Sequence, residues 1–331
     1  GYISCKIPMK RELSIHGNTS LCPTNIRELN PAFDSCEIGC QYCLVGHGAH
    51  EKKVSVYMNY PEYIAKKLKE NEGKKIIYYL SPKTEIFQKP LLETRVAHKI
   101  LKAFRNHYTQ FPKSTARLFI VTKGGIDQAN IKVDGETILD HLTALGKHLR
   151  LCGSVGIMSL GIRKTLEPNA PSVEKRMKFL NELHKRGVSA PGILMQPLLE
   201  PFVTEKSVRE QFKMFSDGGI KHIKAEFLTL TPENMVGLFQ LIGHFDKKAE
   251  KELWERRLGS SAELKETKKG RIPPANMDYL KKEYLLIKEI AEKEFNITVS
   301  LCAWVRMITR MLKFNEKGEQ KGYGCMGQWE V

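Results

Sequence analysis

Three cysteines, Cys36, Cys40 and Cys43, stand at C-x3-C-x2-C spacing in the run Asp34-Ser35-Cys36-Glu37-Ile38-Gly39-Cys40-Gln41-Tyr42-Cys43. Three thiolates this close can converge on one polynuclear centre, because a short glycine-containing loop turns all three sulfurs inward with little rearrangement elsewhere. A four-iron cubane held by three cysteines keeps one iron without a protein ligand, and an open coordination position is where a metal centre does chemistry. Two other readings of the same residues stand. His47 follows Cys43 with three residues between, so Cys36, Cys40, Cys43 and His47 also match a closed, structural zinc site. Alternatively, the thiols are small buried hydrophobes.

The triplet, with the aromatic Tyr42 just before its last cysteine, resembles the signature of the radical S-adenosylmethionine (SAM) enzymes. That resemblance implies a [4Fe-4S] cluster on Cys36, Cys40 and Cys43, with Tyr42 at the cofactor. It implies SAM bound through its amino and carboxylate groups at the unique iron. One-electron reduction would then yield methionine and a 5'-deoxyadenosyl radical that abstracts hydrogen from a substrate. It further implies a reducing partner such as flavodoxin or ferredoxin, and an α/β fold in the form of a partial (β/α)6 TIM-like barrel.

Such a site needs a scaffold, and the residues after the loop alternate regularly. Residues 61–68 read as a helix with proline in its first turn, 75–80 as a short buried strand, 92–107 as an amphipathic helix and 117–122 as a strand closed by Lys123-Gly124-Gly125. A helix over 136–148, a strand over 154–160, a helix over 172–186, a strand at 192–196, a helix over 205–217 and a strand over 220–228 continue the pattern. Strands alternating with helices predict parallel βαβ units. With the extended segment 25–33 there are about six, which right-handed crossovers curl into an open barrel. Residues 1–24 read as a lead-in of turns with a small hairpin, 25–243 as the barrel, and 244–331 as a charged helical and C-terminal extension. That extension holds a helix at 278–295 and a strand at 297–301.

In parallel barrels the active site lies at the carboxyl ends of the strands, and polar residues gather at those predicted ends. After 75–80 come Ser81-Pro82-Lys83-Thr84-Glu85, where radical SAM enzymes place a motif that meets the SAM ammonium. The Gly-Gly-Glu form is missing, so Thr84 and Glu85 are the candidates, with a capped turn as the alternative. After 117–122, Lys123 is a candidate partner for a carboxylate of SAM or substrate, and Gly124 and Gly125 let backbone amides approach an anion; projection of Lys123 into solvent is the alternative. Ser159, with Arg163 or Lys164, is a candidate for the ribose or carboxylate of SAM. Glu226 is read as a ribose or structural partner, and Leu198 and Leu228 suit an adenine pocket. No general base is expected, since radical abstraction needs a dry pocket and a fixed C–H bond.

The run Glu167-Pro168-Asn169-Ala170-Pro171-Ser172, with Arg176 beyond it and Val121-Thr122-Lys123 before it, resembles the spore photoproduct lyase-like branch of these enzymes. By local physics, Ser172 caps the following helix. The resemblance implies a lyase-like enzyme acting on nucleic acid, with one departure. The lyases use an additional cysteine well beyond the cluster triplet, and here the corresponding region, around Phe87, has none. Cys152 is the nearest later cysteine and is expected to enter its strand from the wrong end.

Composition bounds the rest. Lys and Arg outnumber Asp and Glu by 53 to 37, a formal charge of +16, which favours a polyanionic partner. Lysine dominates the excess and is spread through the predicted helices, so a solvated basic surface explains it as well. Residues 244–271, dense in Lys, Glu and Arg, read as a solvated helix and a mobile loop, or as a basic lid over an anionic substrate. A chain of 331 residues that is 41% hydrophobic can bury a full core. Its cysteines, dispersed apart from the triplet, fit a reducing, cytoplasmic setting rather than a disulfide scaffold. Cys5, Cys22, Cys302 and Cys325 are either unconnected thiols or ligands of an auxiliary cluster. No apolar run approaches the ~20 residues of a membrane span, and residues 1–6 lack the features of a secretory signal; no membrane partner is expected. A small molecule, a peptide and a nucleic acid all stay open as substrates. A zinc-stabilised nucleic-acid-binding protein without catalysis is the rival from another class.

Overall fold

In the computed structural model, which describes residues 1–16, 24–43, 53–157, 159–188, 191–258 and 278–301, strands and helices alternate through most of the chain. The protein divides into two units, one of Gly1–Ile38, Ala49–Gly153 and Ala170–Pro191, the other of Gly39–Gly48, Ser154–Asn169 and Gly192–Val331. His47, Cys22, Cys302, Cys325 and the expected loop near 259–271 lie outside the described residues.

In the first unit the strands Ile26–Leu29, Ile77–Leu80, Arg117–Thr122 and Leu149–Ser154 pair in parallel, in that order. Leu29, Leu80, Ile120 and Leu151 fall in register across all four, and each is at most 1% exposed. A continuous aliphatic row of this kind is what a parallel sheet buries against its crossover helices. Helix Tyr60–Glu70 begins with Pro61 in its first turn and buries Tyr60, Tyr63, Ile64, Lys67 and Leu68, the three-and-four spacing of one helical face. A separate small sheet places Val54–Tyr57 between Tyr2–Cys5, in parallel, and Ala32–Phe33, antiparallel, so the residues entering the cysteine loop are themselves held in a sheet.

In the second unit Gly192–Leu198, His222–Phe227 and Thr298–Leu301 pair in parallel. Helix Glu205–Asp217 is capped by Thr204, whose hydroxyl accepts from Ser207 N, and helix Pro232–Phe245 by Thr231, whose hydroxyl accepts from Asn234 N. The protein is thus α/β with mostly parallel strands. Among the described residues no helix is long and apolar enough to cross a membrane.

Several elements depart from the pattern read in the sequence. The strand expected over 154–160 lies earlier, at Leu149–Ser154, because a charged residue, Arg150, stands inside a wholly buried strand and interrupts its apolar run. Cys152 is therefore the fourth residue of that strand rather than lying ahead of it. The helix expected over 92–107 is two helices, Lys89–Glu93 and Val96–Gln110, separated where Arg95 takes φ +62°. Helix Leu160–Leu166 and strand Val54–Tyr57 were not anticipated. Helix Lys247–Leu258 is not simply a solvated charged helix: Ala249, Leu253 and Arg257 are all buried.

Candidate functional site

The cysteine loop is pinned by its backbone on both sides. Asp34, at φ +66°, turns the chain out of Ala32–Phe33, and its carboxylate accepts from Ser55 Oγ at 2.6 Å. Ser35 N donates to Phe33 O at 2.9 Å and Glu37 N to Gln88 Oε1 at 3.1 Å, which fixes the residues on either side of the buried Cys36. Gly39, at φ +66°, adopts a left-handed conformation that a Cβ would strain. Beyond it, in the second unit, Gln41 N donates to Leu166 O at 3.0 Å and Cys43 N to Cys40 O at 3.1 Å. Tyr42 is buried among Ile162, Leu166, Leu199, Leu228 and Phe239, with Cys40 packed against the same core. Its hydroxyl donates to the buried carboxylate of Glu167. Tyr42 is therefore an anchor that carries the loop on helix Leu160–Leu166.

Glu85 is the centre of the strand-end cluster in the first unit. Buried at 6% exposure, its Oε1 accepts from Phe87 N at 3.0 Å and from Thr122 Oγ1 at 2.5 Å, and its Oε2 accepts from Lys123 N at 2.7 Å. Thr122 Oγ1 in turn accepts from Gly124 N at 2.8 Å. One carboxylate thus sets the path of Thr122-Lys123-Gly124, and Lys123 leaves the strand from a fixed backbone. A Cβ on Gly124 would come within 2.9 Å of Phe87 Cδ2 and of Thr122 Oγ1, so the glycine is there for close approach. Thr84 is half-buried and shares a 2.7 Å hydrogen bond with Ser81 Oγ. The structure therefore brings Glu85 and Lys123 together.

In the second unit Ser159 and Arg163 share the first turn of helix Leu160–Leu166, with Arg163 N donating to Ser159 O at 3.0 Å. Ser159 is the N-cap residue, yet its side chain makes no capping bond. Its buried Oγ has no hydrogen-bond partner among the described residues. The buried Arg163 guanidinium donates to Gly156 O at 3.1 Å and to Gln211 Oε1 at 2.9 Å, tying the turn before the helix to helix Glu205–Asp217. Glu226 lies half-buried on His222–Phe227. The sequence did not reveal the buried pair Glu200 and Arg257: the Arg257 Nη2 donates to Glu200 Oε1 and, at 2.9 Å, to Leu228 O. Both partners are at most 3% exposed. Burial pushes the Glu200 carboxyl above its ordinary range, against the opposing Arg257 charge. The only signal was Glu200 following a predicted strand end; nothing marked Arg257 among its charged neighbours.

Nowhere among the described residues are three His, Cys, Asp or Glu side chains arranged to hold a metal ion. The fit to a cluster rests on the donor set: none of Cys36, Cys40 and Cys43 is in a disulfide, and soft thiolates are the ligands of iron–sulfur centres.

No family model and no curated protein matches the chain; solved structures do. The fold is like that of spore photoproduct lyase: a form bound to AdoMet and a dinucleoside spore photoproduct matches with a TM-score of 0.61 at 15% identity, over 90% of this chain and 80% of the lyase. SuiB of Streptococcus suis bound to S-adenosylmethionine matches with a TM-score of 0.51 at 13% identity, over 92% of this chain and 56% of SuiB.

Proposed function

We propose that this chain is a radical SAM enzyme built on a partial (β/α)6 barrel over residues 25–243, with 1–24 as lead-in and 244–331 as extension. Cys36, Cys40 and Cys43 would hold a [4Fe-4S] cluster. When bound, cluster and SAM supply reductive cleavage to a 5'-deoxyadenosyl radical, with electrons from a donor such as flavodoxin or ferredoxin. The chain's own residues position and exclude. Gln41 and Tyr42 hold the loop through Leu166 and Glu167. Glu85 fixes Lys123 as a cation for a carboxylate, with Thr84 beside it in the same turn. The unpartnered Ser159 hydroxyl is offered to a ribose hydroxyl, and Glu226 to the same sugar. Arg163 keeps the Ser159 turn in place, and Leu198 and Leu228 keep water out.

The observation that carries this reading is the set of three cysteines, none in a disulfide, on a loop anchored to helix Leu160–Leu166, in a chain whose fold is like that of spore photoproduct lyase. Anaerobic reconstitution tests it. About four irons and four sulfides per chain, with reductant-dependent 5'-deoxyadenosine formation abolished in Cys40→Ala, is the expected result. Stoichiometric zinc with no SAM cleavage refutes it and leaves the zinc-stabilised binding protein.

A second reading, a lyase-like enzyme acting on nucleic acid, draws on the lyase bound to a dinucleoside and on the charge of +16. At the region where the lyases carry their extra cysteine, Phe87 is buried edge-on against Phe179, so the hydrogen-donating step would differ. Single-stranded and duplex DNA binding that weakens with salt at a log–log slope of several phosphates is the expected result; salt-independent or absent binding favours a small molecule or peptide.

A further inference from the structure

The four parallel strands of the first unit carry a second row, one residue out of step with the aliphatic one. Glu28, Tyr79, Phe119 and Arg150 are register partners across Ile26–Leu29, Ile77–Leu80, Arg117–Thr122 and Leu149–Ser154. Alternation puts them on the face opposite Leu29, Leu80, Ile120 and Leu151. Side-chain contacts agree, since the Tyr79 and Phe119 rings lie with centroids 4.8 Å apart.

The two ends of this row are charged and are treated differently. Glu28 is neutralised locally: His16 Nδ1 lies 2.9 Å from Oε1, Lys83 Nζ lies 2.9 Å from Oε2, and Asn30 Nδ2 donates to Oε2 at 3.1 Å. Arg150 at the other end is 3% exposed, and its Nε and Nη2 are buried with no hydrogen-bond partner among the described residues. Burial pulls the guanidinium down to about 10, so it stays charged at neutral pH. Cys152, two residues on along the same strand face, is the neighbour that counters the burial, and no carboxylate contributes. A buried charge that no carboxylate offsets is strongly unfavourable, and the register partners beside it, Phe119 and then Tyr79, are aromatic. An arrangement of that kind is suited to an anion that arrives from outside, because the guanidinium fork meets a carboxylate or phosphate through two parallel N–H bonds.

We infer that Arg150, on the sheet face shared with Tyr79 and Phe119, is the binding residue for an oxyanion group, carboxylate or phosphate, of the substrate. Calling that anion the substrate's rests on the radical SAM reading above; the binding itself does not.

Calorimetric titration of the full-length protein, reconstituted with its metal, tests the inference at constant ionic strength with inorganic phosphate and, separately, acetate. Saturable binding of one anion per chain is expected, and the tighter of the two probes names the source. Arg150→Leu should weaken it by about tenfold or more, the loss expected for hydrogen bonds to a charged group, while Arg150→Lys keeps the charge and part of the affinity. In buffer without either anion, Arg150→Leu should melt at or above the wild-type temperature, since it removes an uncompensated buried charge. No saturable binding of either anion, equal affinity in Arg150→Leu, or a lower melting temperature for that variant without anion overturns the site. The last result would mean that the chain itself supplies the partner. If SAM displaces phosphate, the anion is SAM's own carboxylate and the substrate assignment falls. Because the readout is binding, a negative result leaves SAM cleavage untested by it, and loss of SAM cleavage leaves the anion measurement standing.

Discussion

Glu85 offers the sharpest test of how the strand ends are held. Its carboxylate accepts three hydrogen bonds, from Phe87 N at 3.0 Å, Thr122 Oγ1 at 2.5 Å and Lys123 N at 2.7 Å, at a position only 6% exposed. Hydrogen bonds to a charged acceptor contribute about 1.5–3 kcal/mol each, and with all three taken at the low end Glu85→Ala should destabilise by about 4–5 kcal/mol. Glu85→Gln keeps the shape but must face one donor with an amide NH2. In the better orientation it loses the Lys123 bond and the charge on the other two, which amounts to about 3 kcal/mol. Urea unfolding followed by circular dichroism measures both, provided the slope with denaturant is unchanged. The affinity for SAM should fall in parallel, because Lys123 then leaves the strand from a backbone that is no longer fixed. A loss below about 1 kcal/mol in Glu85→Ala would show that the three bonds are replaced by water without penalty, and the positioning role of Glu85 would be wrong.

Tyr42→Phe removes the donor to the Glu167 carboxylate and should destabilise by about 1–2 kcal/mol, with faster loss of iron to a chelator than in the wild type. For Glu28, burial pushes the carboxyl up, but the His16, Lys83 and Asn30 bonds and the Lys83 charge outweigh it and bring it from 4.5 to about 2. The folded value is the lower one, so the stabilisation is full above about 4.5 and is lost as pH falls toward 2. The shift corresponds to ~3 kcal/mol, and Lys83→Met should shrink that acid limb in unfolding measured against pH. Glu283 behaves oppositely: burial first, then the Glu200 charge, outweigh the 2.6 Å contact with Arg256 and raise it to about 8. For this acid the neutral form is favoured in the fold, so stability is full below about 4.5 and declines as pH rises to 8; Glu283→Gln should flatten that decline, and a steeper slope in the variant would contradict it.

What the sequence made legible was periodicity, and what it hid was pairing. Helices Glu205–Asp217 and Asp278–Phe295 are bounded by capping or charge changes that a linear pattern displays, and both begin and end where the pattern predicted. The Thr231 and Ser172 caps follow from the same local chemistry. The strand Leu149–Ser154 was misplaced because the reading assumes that a charge marks an element's edge, whereas Arg150 sits inside a strand buried at every position. The same assumption hid Arg257, one basic residue among many in its helix, whose partners Glu200 and Leu228 O come from distant segments. Glu85 was legible as a strand-end carboxylate, but a carboxylate's partners are set by the strands that converge on it, and here they are the Thr122 hydroxyl and two backbone amides. Motif spacing survives this limit where tertiary pairing does not. The three cysteines lie within one short loop, so their spacing is visible in the sequence even though Gln88, Leu166 and Glu167 hold that loop in place, while a lone arginine or glutamate acquires its meaning only from what the fold brings against it or, as at Arg150, leaves for a ligand.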